Sequence, residues 1–339
     1  MPPSTDWKEV VPKGEAERFA AYAKKLRDLQ AARAKGGSVD RGLHAKPVAG
    51  LAAELNVSAD LPDHARHGLF ATPKRYEAYV RLSNGGGHRG PDSKSDVRGF
   101  AIKVLGVPGK KIIEGMEDAK TQDFLLIASH TPPFRHTDEF VALVLAAENP
   151  LLLLPRLIGA LGFGRAFGLL KSFAAGVKRP FHSFATSPFY TAAPLRYGPY
   201  AARLAIFPRE EAVPTVVDDP EFFHKDIAAR LAKGPIPFDV RVQFFVDESK
   251  TPIEDLSKGW DEGAAPFATV ATLTLLQQNI DDERGRRIAE RVEGFSFDPW
   301  HALEEHRPLG NFMRARNHAY RESSILRNAS PEPTAATVD

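Results

Sequence analysis

The stretch "RARNHAYRESSILRN", Arg314 to Asn328, sets a tyrosine among four arginines. Arg316 precedes Tyr320 by four residues, and Arg327 follows it by seven. At roughly 100° per residue of helix, these three side chains fall within about 40° of one another. A free phenol has a pKa near about 10, so a tyrosinate working at neutral pH needs a neighbouring cation or a metal. Arg316, one helical turn away, can supply the cation. A solvated polar helix face would carry the same residues, so this pattern gains meaning only from the rest of the chain.

A tyrosinate is a hard anionic ligand suited to ferric haem. Haem also carries two carboxylates that favour arginine forks, and Arg327 is a candidate for one of them. In "DRGLHAK", Asp40 to Lys46, Arg41 and His44 stand three apart just before a predicted strand. In "YVRLSNGGG", strand alternation puts Arg81 and Ser83 on one face and Val80 and Leu82 on the other. On an inward face, a serine beside an arginine could hold an imidazole and a carboxylate.

The elements that must position these residues are readable in outline. Phe19, Tyr22, Leu26 and Leu29 lie at helical spacing, which predicts an amphipathic helix over Glu15 to Lys35, followed by "GGSVDRG". From there to about Val107 the signals are those of strands, with "YEAYVRLS" and "VRGFAIKVLGV" joined through "NGGG". Residues from about Thr137 to Phe173 read as helical. "PFYTAAPLRYGPYAARLAIFP", "FDVRVQFFVD" and "ATVATLTLLQQ" follow as further strands. Strands on both sides of a helical insert predict a single closed antiparallel sheet with helices outside. A last helix follows Pro308, and "ASPEPTAATVD" reads as a disordered tail.

Composition narrows the chemistry. Among 339 residues there is no cysteine, which removes disulfides, thiolate nucleophiles, iron–sulfur clusters and thiolate-ligated haem. A net charge of +2 without a long basic block gives no field for nucleic acid. The N-terminus has no apolar core behind a basic start, so the chain reads as cytoplasmic. The most apolar tract, Pro150 to Gly176, is interrupted by Pro155, Arg156, Arg165 and Lys171. It reads as buried or interface-packing helices rather than a membrane span, with contact at a membrane surface as the less favoured alternative.

"RGLHAK", "VRLSN", "DVRGFAIK", "TQDFLLIASHTPPF" and "RNHAYRESSILR" follow the order and approximate spacing of the haem-catalase superfamily. The chain resembles the short branch that includes catalase-related peroxidases and allene-oxide-synthase-like domains, over about Arg41 to Arg327. "PIEDLSKGW" and "FSFDPWHALEEHRPLGN" are similar to the same branch. The resemblance implies an α+β fold, a catalase-like antiparallel β-barrel around haem with flanking helices. It implies an N-terminal helical arm (1–40), a haem domain (41–328) with a helical insert at about 137–175, and the tail (329–339).

Carried onto this chain, the resemblance implies haem b with Tyr320 as the ligand of its ferric iron and Arg316 as the cation beside it. His44 becomes the distal base, oriented by Ser83. Arg41, Arg81 and Arg327 hold the propionates, and Phe134 and Phe140 pack against the porphyrin. Catalases place an asparagine before the "TP" of this segment, whereas here "IASHTPPF" puts His130 there, or Ser129 if the alignment shifts by one. Neither is an amide, so the implied activity is a peroxidase reducing hydrogen peroxide or organic hydroperoxides through a ferryl state, with little catalase activity. The implied partners are a peroxide, a small organic reductant and further copies of the chain, a dimer being the smallest assembly. A fatty-acid hydroperoxide isomerase or dehydratase, or a haem-binding protein without turnover, are the alternatives.

Two local patterns compete for attention. "HALEEH" is one residue too long for an H-x-x-E-H zinc site, so His301, Glu304, Glu305 and His306 read as surface and capping residues. "SNGGGHRG" lacks the lysine and spacing of a phosphate loop and reads as a hairpin turn.

Overall fold

The computed structural model describes residues 2–34, 39–178, 180–211, 213, 218–335 and 337–338. Among these residues the chain runs α1 (Glu15–Ala32), β1 (Pro47–Val57), β2 (Arg75–Asn84), β3 (Arg98–Leu105), β4 (Thr121–Ile127), α2 (Thr137–Ala147), α3 (Leu153–Leu161) and α4 (Phe163–Val177). It continues through β5 (Phe189–Thr191), β6 (Leu195–Tyr197), β7 (Tyr200–Pro208), α5 (Phe222–Lys233), β8 (Ile236–Phe244), β9 (Phe267–Leu275), α6 (Glu283–Gly294) and α7 (Asn311–Leu326).

The strands form one antiparallel sheet in the order β5-β4-β3-β2-β1-β9-β8-β7-β6, and β5 also pairs with β7. That extra pairing, Phe189 with Ile206 and Tyr190 with Ala205, closes a ring of eight strands. β6 stays outside the ring as the other arm of a tight hairpin with β7. Closure leaves no long edge able to recruit another strand.

Alternation fills the barrel. Leu51, Ala53 and Leu55 of β1, Val80 and Leu82 of β2, Phe100 and Ile102 of β3, Phe238 and Val240 of β8, and Leu273 of β9 meet in one buried core. The interior is therefore packed with apolar side chains. Because side chains alternate with period two, Arg81 and Ser83 must point to the outer face. The inward placement expected for this pair is thus corrected: the polar residues of β2 line the outside wall, under the helices. There α6 packs Ile288 and Val292 on Ala52 and Tyr79. Gly50 permits this approach, since a Cβ on it would stand 2.8 Å from the Ala289 backbone.

The first turn of α7 is held by carboxylates from far along the chain. Glu9 accepts from the Gly310 amide at 2.8 Å, and Glu254 from the Asn311 amide at 2.6 Å. They satisfy amides that a helix start leaves unpaired. Arg314 binds Glu9, Glu15 and Glu254 at once, and α1 packs alongside α7.

The segment beyond α7, expected to be a disordered tail, is tied down as far as Glu332. Ser330 pairs with Phe295, and the Glu332 carboxylate accepts from Lys103 and Thr121, each at 2.7 Å. A buried ammonium needs such counter-charges, and the tail provides one. Of "GGSVDRG", Gly36 to Ser38 lie outside the described residues.

Candidate active site

Phe312, Arg316 and Tyr320 follow one another at four-residue spacing along α7, so they share one face. Arg316 donates from Nη2 to the Tyr320 hydroxyl. Its guanidinium carbon lies 4.7 Å from the Tyr320 ring centre and 5.6 Å from that of Phe312. A planar cation laid along the helix thus meets the phenol oxygen and both rings.

His44 precedes β1 with φ of 55°, a left-handed conformation that a non-glycine residue adopts at a cost. The loop after β2 stabilises it, because the His44 amide donates to the Gly85 carbonyl at 3.0 Å. This turn brings His44 Nδ1 to 3.0 Å from Ser83 Oγ. Opposite Ser83 in the ladder stands Gly99, and a Cβ there would lie 2.5 Å from His44 Nδ1. The absence of a side chain at Gly99 makes room for the imidazole. Burial, together with Arg81, Arg316 and Arg41, pushes the His44 pKa down to about 3. The ring is therefore neutral at ordinary pH and free to accept a proton.

Arg41, Arg81 and Arg327 surround Glu293 at the end of α6. Arg81, 4% exposed, meets this carboxylate at 2.7 and 3.2 Å and also donates to the His44 carbonyl at 2.9 Å. Arg41 lies 3.6 Å from Glu293 and donates to the carbonyls of Glu293 and Phe295. Arg327 donates to the Phe295 carbonyl at 3.1 Å. Burial, then the charges of Arg81 and Arg327, holds Arg41 well below the usual guanidinium range, and Tyr320 is close enough to oppose that shift. The predicted residues Arg41, His44, Arg81, Ser83, Arg316, Tyr320 and Arg327 therefore occupy one region, on the outer wall of the barrel beneath α6 and α7.

This region carries more cations than anions. The Glu293 carboxylate pairs with Arg41 and Arg81 and acts on Arg327 only through its charge, and the buried Nε atoms of Arg41 and Arg327 have no hydrogen-bond acceptor. Buried guanidinium groups in this state fit a ligand bearing carboxylates. Tyr320 adds a donor oxygen suited to a hard metal ion.

Of the remaining predicted residues, the two phenylalanines lie in a neighbouring group, and the contacts of His130 fall in neither. Phe134 and Phe140 pack against each other and against Phe312, all three ring pairs at 5.1 Å. They brace the face of α7 that leads to Tyr320. His130 is fixed by an edge contact with Tyr190 at 5.0 Å, by Thr131 Oγ1 at 3.1 Å, and through its carbonyl by Arg203.

His301 and His306, read above as surface residues, are 0% and 2% exposed. His301 bonds Thr121 Oγ1 and His306 bonds Gln122, each at 2.8 Å, while burial pushes both imidazoles down to about 3. Apolar neighbours override the polar character of "HALEEH". Glu304 and Glu305 remain exposed. His301 also joins Asp123 and Glu332 in a group that could hold a metal ion. The Lys103 ammonium already stands 2.7 Å from both carboxylates, so the chain supplies that positive charge itself.

Three contributors escaped the sequence reading. Gly99 sits inside a strand pattern, a known sign of close approach. Phe312 shares the four-residue period of Arg316 and Tyr320. Glu293 gives no local signal, because its partners lie far away in sequence.

No family model matches the chain. It is 28% identical over 273 residues to a catalase-related peroxidase of Mycolicibacterium paratuberculosis, covering 74% of this chain and 77% of that one. In structure it is similar to a fungal catalase, with a TM-score of 0.69, 16% identity and 98% of this chain covered. Catalase A from Saccharomyces cerevisiae gives a TM-score of 0.67 at 16% identity and 90% coverage. A bacterial catalase gives 0.64 at 15% identity and 97% coverage. The chain spans 67%, 64% and 63% of those three catalase chains, respectively. The fold is that of the catalases.

Proposed function

We propose that this chain, catalase-like in fold and related in sequence to a catalase-related peroxidase, is a haem-dependent peroxidase acting on hydrogen peroxide or organic hydroperoxides. The observation that carries this reading is the convergence of the Arg316–Tyr320 pair, the His44–Ser83 pair and three arginines on one wall of the barrel. The residues fit haem b: Tyr320 as ligand of a ferric iron, and Arg41, Arg81 and Arg327 as partners of the two propionates. When bound, haem supplies the electrons that reduce the peroxide bond and later takes them back from a small organic donor.

The chain's own residues manage the proton. With Nδ1–H donating to Ser83 Oγ, His44 keeps a lone pair on Nε2 and takes the proton from the hydroperoxide O–H. The same nitrogen returns it to the departing oxygen, which leaves as water or an alcohol. Ser83 fixes the ring orientation, and burial, with the nearby arginines, keeps the imidazole neutral. Arg316 steadies the negative charge on Tyr320. An imidazole at position 130, where the resemblance expects an amide, is the reason this reading assigns the chain little disproportionation of hydrogen peroxide.

The test is an absorption spectrum of the haem-supplemented protein before and after hydrogen peroxide or an organic hydroperoxide, with and without a phenolic donor. A Soret band that shifts with peroxide and recovers with donor supports the reading. Absence of a Soret band under full haem supply defeats it. Rearrangement of a fatty-acid hydroperoxide without consumption of donor would replace it with an isomerase or dehydratase.

A further inference from the structure

The helical insert carries a surface unlike the rest of the molecule. Among the described residues nine large apolar side chains are exposed, and five of them are Leu151, Leu152, Phe163, Phe167 and Phe173. Leu151 is 90% exposed and Phe163 68%. These side chains are surplus to the core, because the inner sides of α3 and α4 are already packed. Leu157, Ala166 and Leu169 are fully buried against α2 and the start of α7. On the outer side, Phe163 and Phe167 lie one turn apart with ring centres at 4.7 Å, and Lys171 follows one turn later.

The segment that forms this surface carries charge of a single sign. No Asp or Glu occurs between Glu148 and Glu210, whereas Arg156, Arg165, Lys171, Lys178 and Arg179 fall in the first half of that interval. Arg165 is engaged by Glu139. Arg156, Lys171 and Lys178 are exposed. The two nearest preceding carboxylates are already paired, Glu139 with Arg165 and Glu148 with Arg33. In a chain of 45 basic and 43 acidic residues, an apolar segment this long with cations and no carboxylate of its own is a marked segregation.

We propose that the outer face of α3 and α4 docks on an anionic lipid bilayer surface. Phe163, Phe167 and Leu151 enter the boundary between headgroups and acyl chains, while Arg156, Lys171 and Lys178 reach lipid phosphates. No described helix is long and apolar enough to cross a membrane, so the contact is peripheral. A second copy of the chain fits this face poorly, because a two-fold contact would set the same cations against each other. The surface stands apart from the Tyr320 site, and the inference does not depend on the peroxidase reading.

The experiment is co-sedimentation of the full haem-supplemented chain with vesicles of phosphatidylcholine alone or mixed with phosphatidylglycerol. Binding should strengthen by on the order of a hundredfold with the anionic lipid, as three basic side chains allow, and weaken as salt is added. The double variant Phe163→Ser/Phe167→Ser and the double variant Lys171→Glu/Lys178→Glu should each lose binding. Both should keep their circular dichroism and their activity on a water-soluble hydroperoxide. Equal sedimentation with both vesicle types, or binding unchanged in the variants, overturns the proposal. So does a dimer, seen by light scattering, that falls apart in Phe163→Ser/Phe167→Ser while vesicles go unbound.

Discussion

Gly99 stands directly across the β2–β3 ladder from Ser83, and a Cβ on it would press to 2.8 Å from the serine oxygen. It would lie closer still, at 2.5 Å, to His44 Nδ1. Such contacts require movement of the imidazole or the strand. The variant Gly99→Ala should bind haem normally but lose roughly a hundredfold in peroxidase kcat, the scale of a misplaced general base. Unchanged kcat would show that His44 has no fixed catalytic position.

Tyr320→Phe keeps the ring beside Arg316 and removes the oxygen that Arg316 contacts. Haem content should fall and the ferric spectrum should lose its tyrosinate character. Retention of both would move the axial role elsewhere.

Glu293 is the carboxylate for Arg81, which is almost fully buried. Glu293→Gln removes that charge and should destabilise the haem-free protein by roughly 3 kcal/mol, the usual cost of breaking a buried pair. Propionates would restore negative charge, so added haem should recover much of the lost Tm. An equal drop in both states argues against propionates at these arginines.

His44, His301 and His306 are each pushed down to about 3 by burial. Between about pH 6.5 and that value, the unfolded chain takes up protons that the folded one refuses, so stability falls as pH falls. Asp298 and Asp123 act in the opposite sense, since burial pushes them up to about 7 and about 8. Among the groups pushed this far the histidines outnumber the carboxyls, so unfolding takes up protons and stability falls as pH drops below about 6.5. Above it, only the carboxyls remain and stability declines as pH rises. The urea midpoint should therefore peak near about pH 6.5; a midpoint still climbing through about pH 8 contradicts this assignment.

His130→Asn supplies an amide where the imidazole now rests on Tyr190 and Thr131. Oxygen evolution from hydrogen peroxide should rise severalfold while peroxidase turnover with a phenolic donor persists. No rise would remove His130 as the limit on disproportionation.

Strand alternation made β8 and β9 legible, since partly exposed strands write a period of two into their residues, while β2 and β3, buried on nearly every residue, alternate in residue type rather than in burial. β1 was harder to read: Pro47–Val57 is rich in alanine and buried along nearly its whole length, so its pattern has little contrast. The same alternation correctly paired Arg81 with Ser83 but could not say which face was the interior. That choice is made by the packing of α6, a long-range fact. Tyr320 with Arg316 was visible because both lie on one helix. Glu293 was invisible because its value comes from Arg41, Arg81 and Arg327, none of them near it in sequence. The burial of His301 and His306 likewise follows from distant neighbours.

The seam between β1 and β9 pairs Ala53 with Leu275, more than two hundred residues apart. Hairpins can assemble β1 to β4 from local contacts, and with them the His44–Ser83–Gly99 corner. The seam must wait for a long loop to close, and such closures govern the pace of folding. The barrel is therefore expected to mature in two kinetic phases, with the base, Arg41 and Arg81 in place early and Glu293, Tyr320 and Arg327 arriving last. A protein caught between those phases would hold a formed proton acceptor and no place to seat a cofactor.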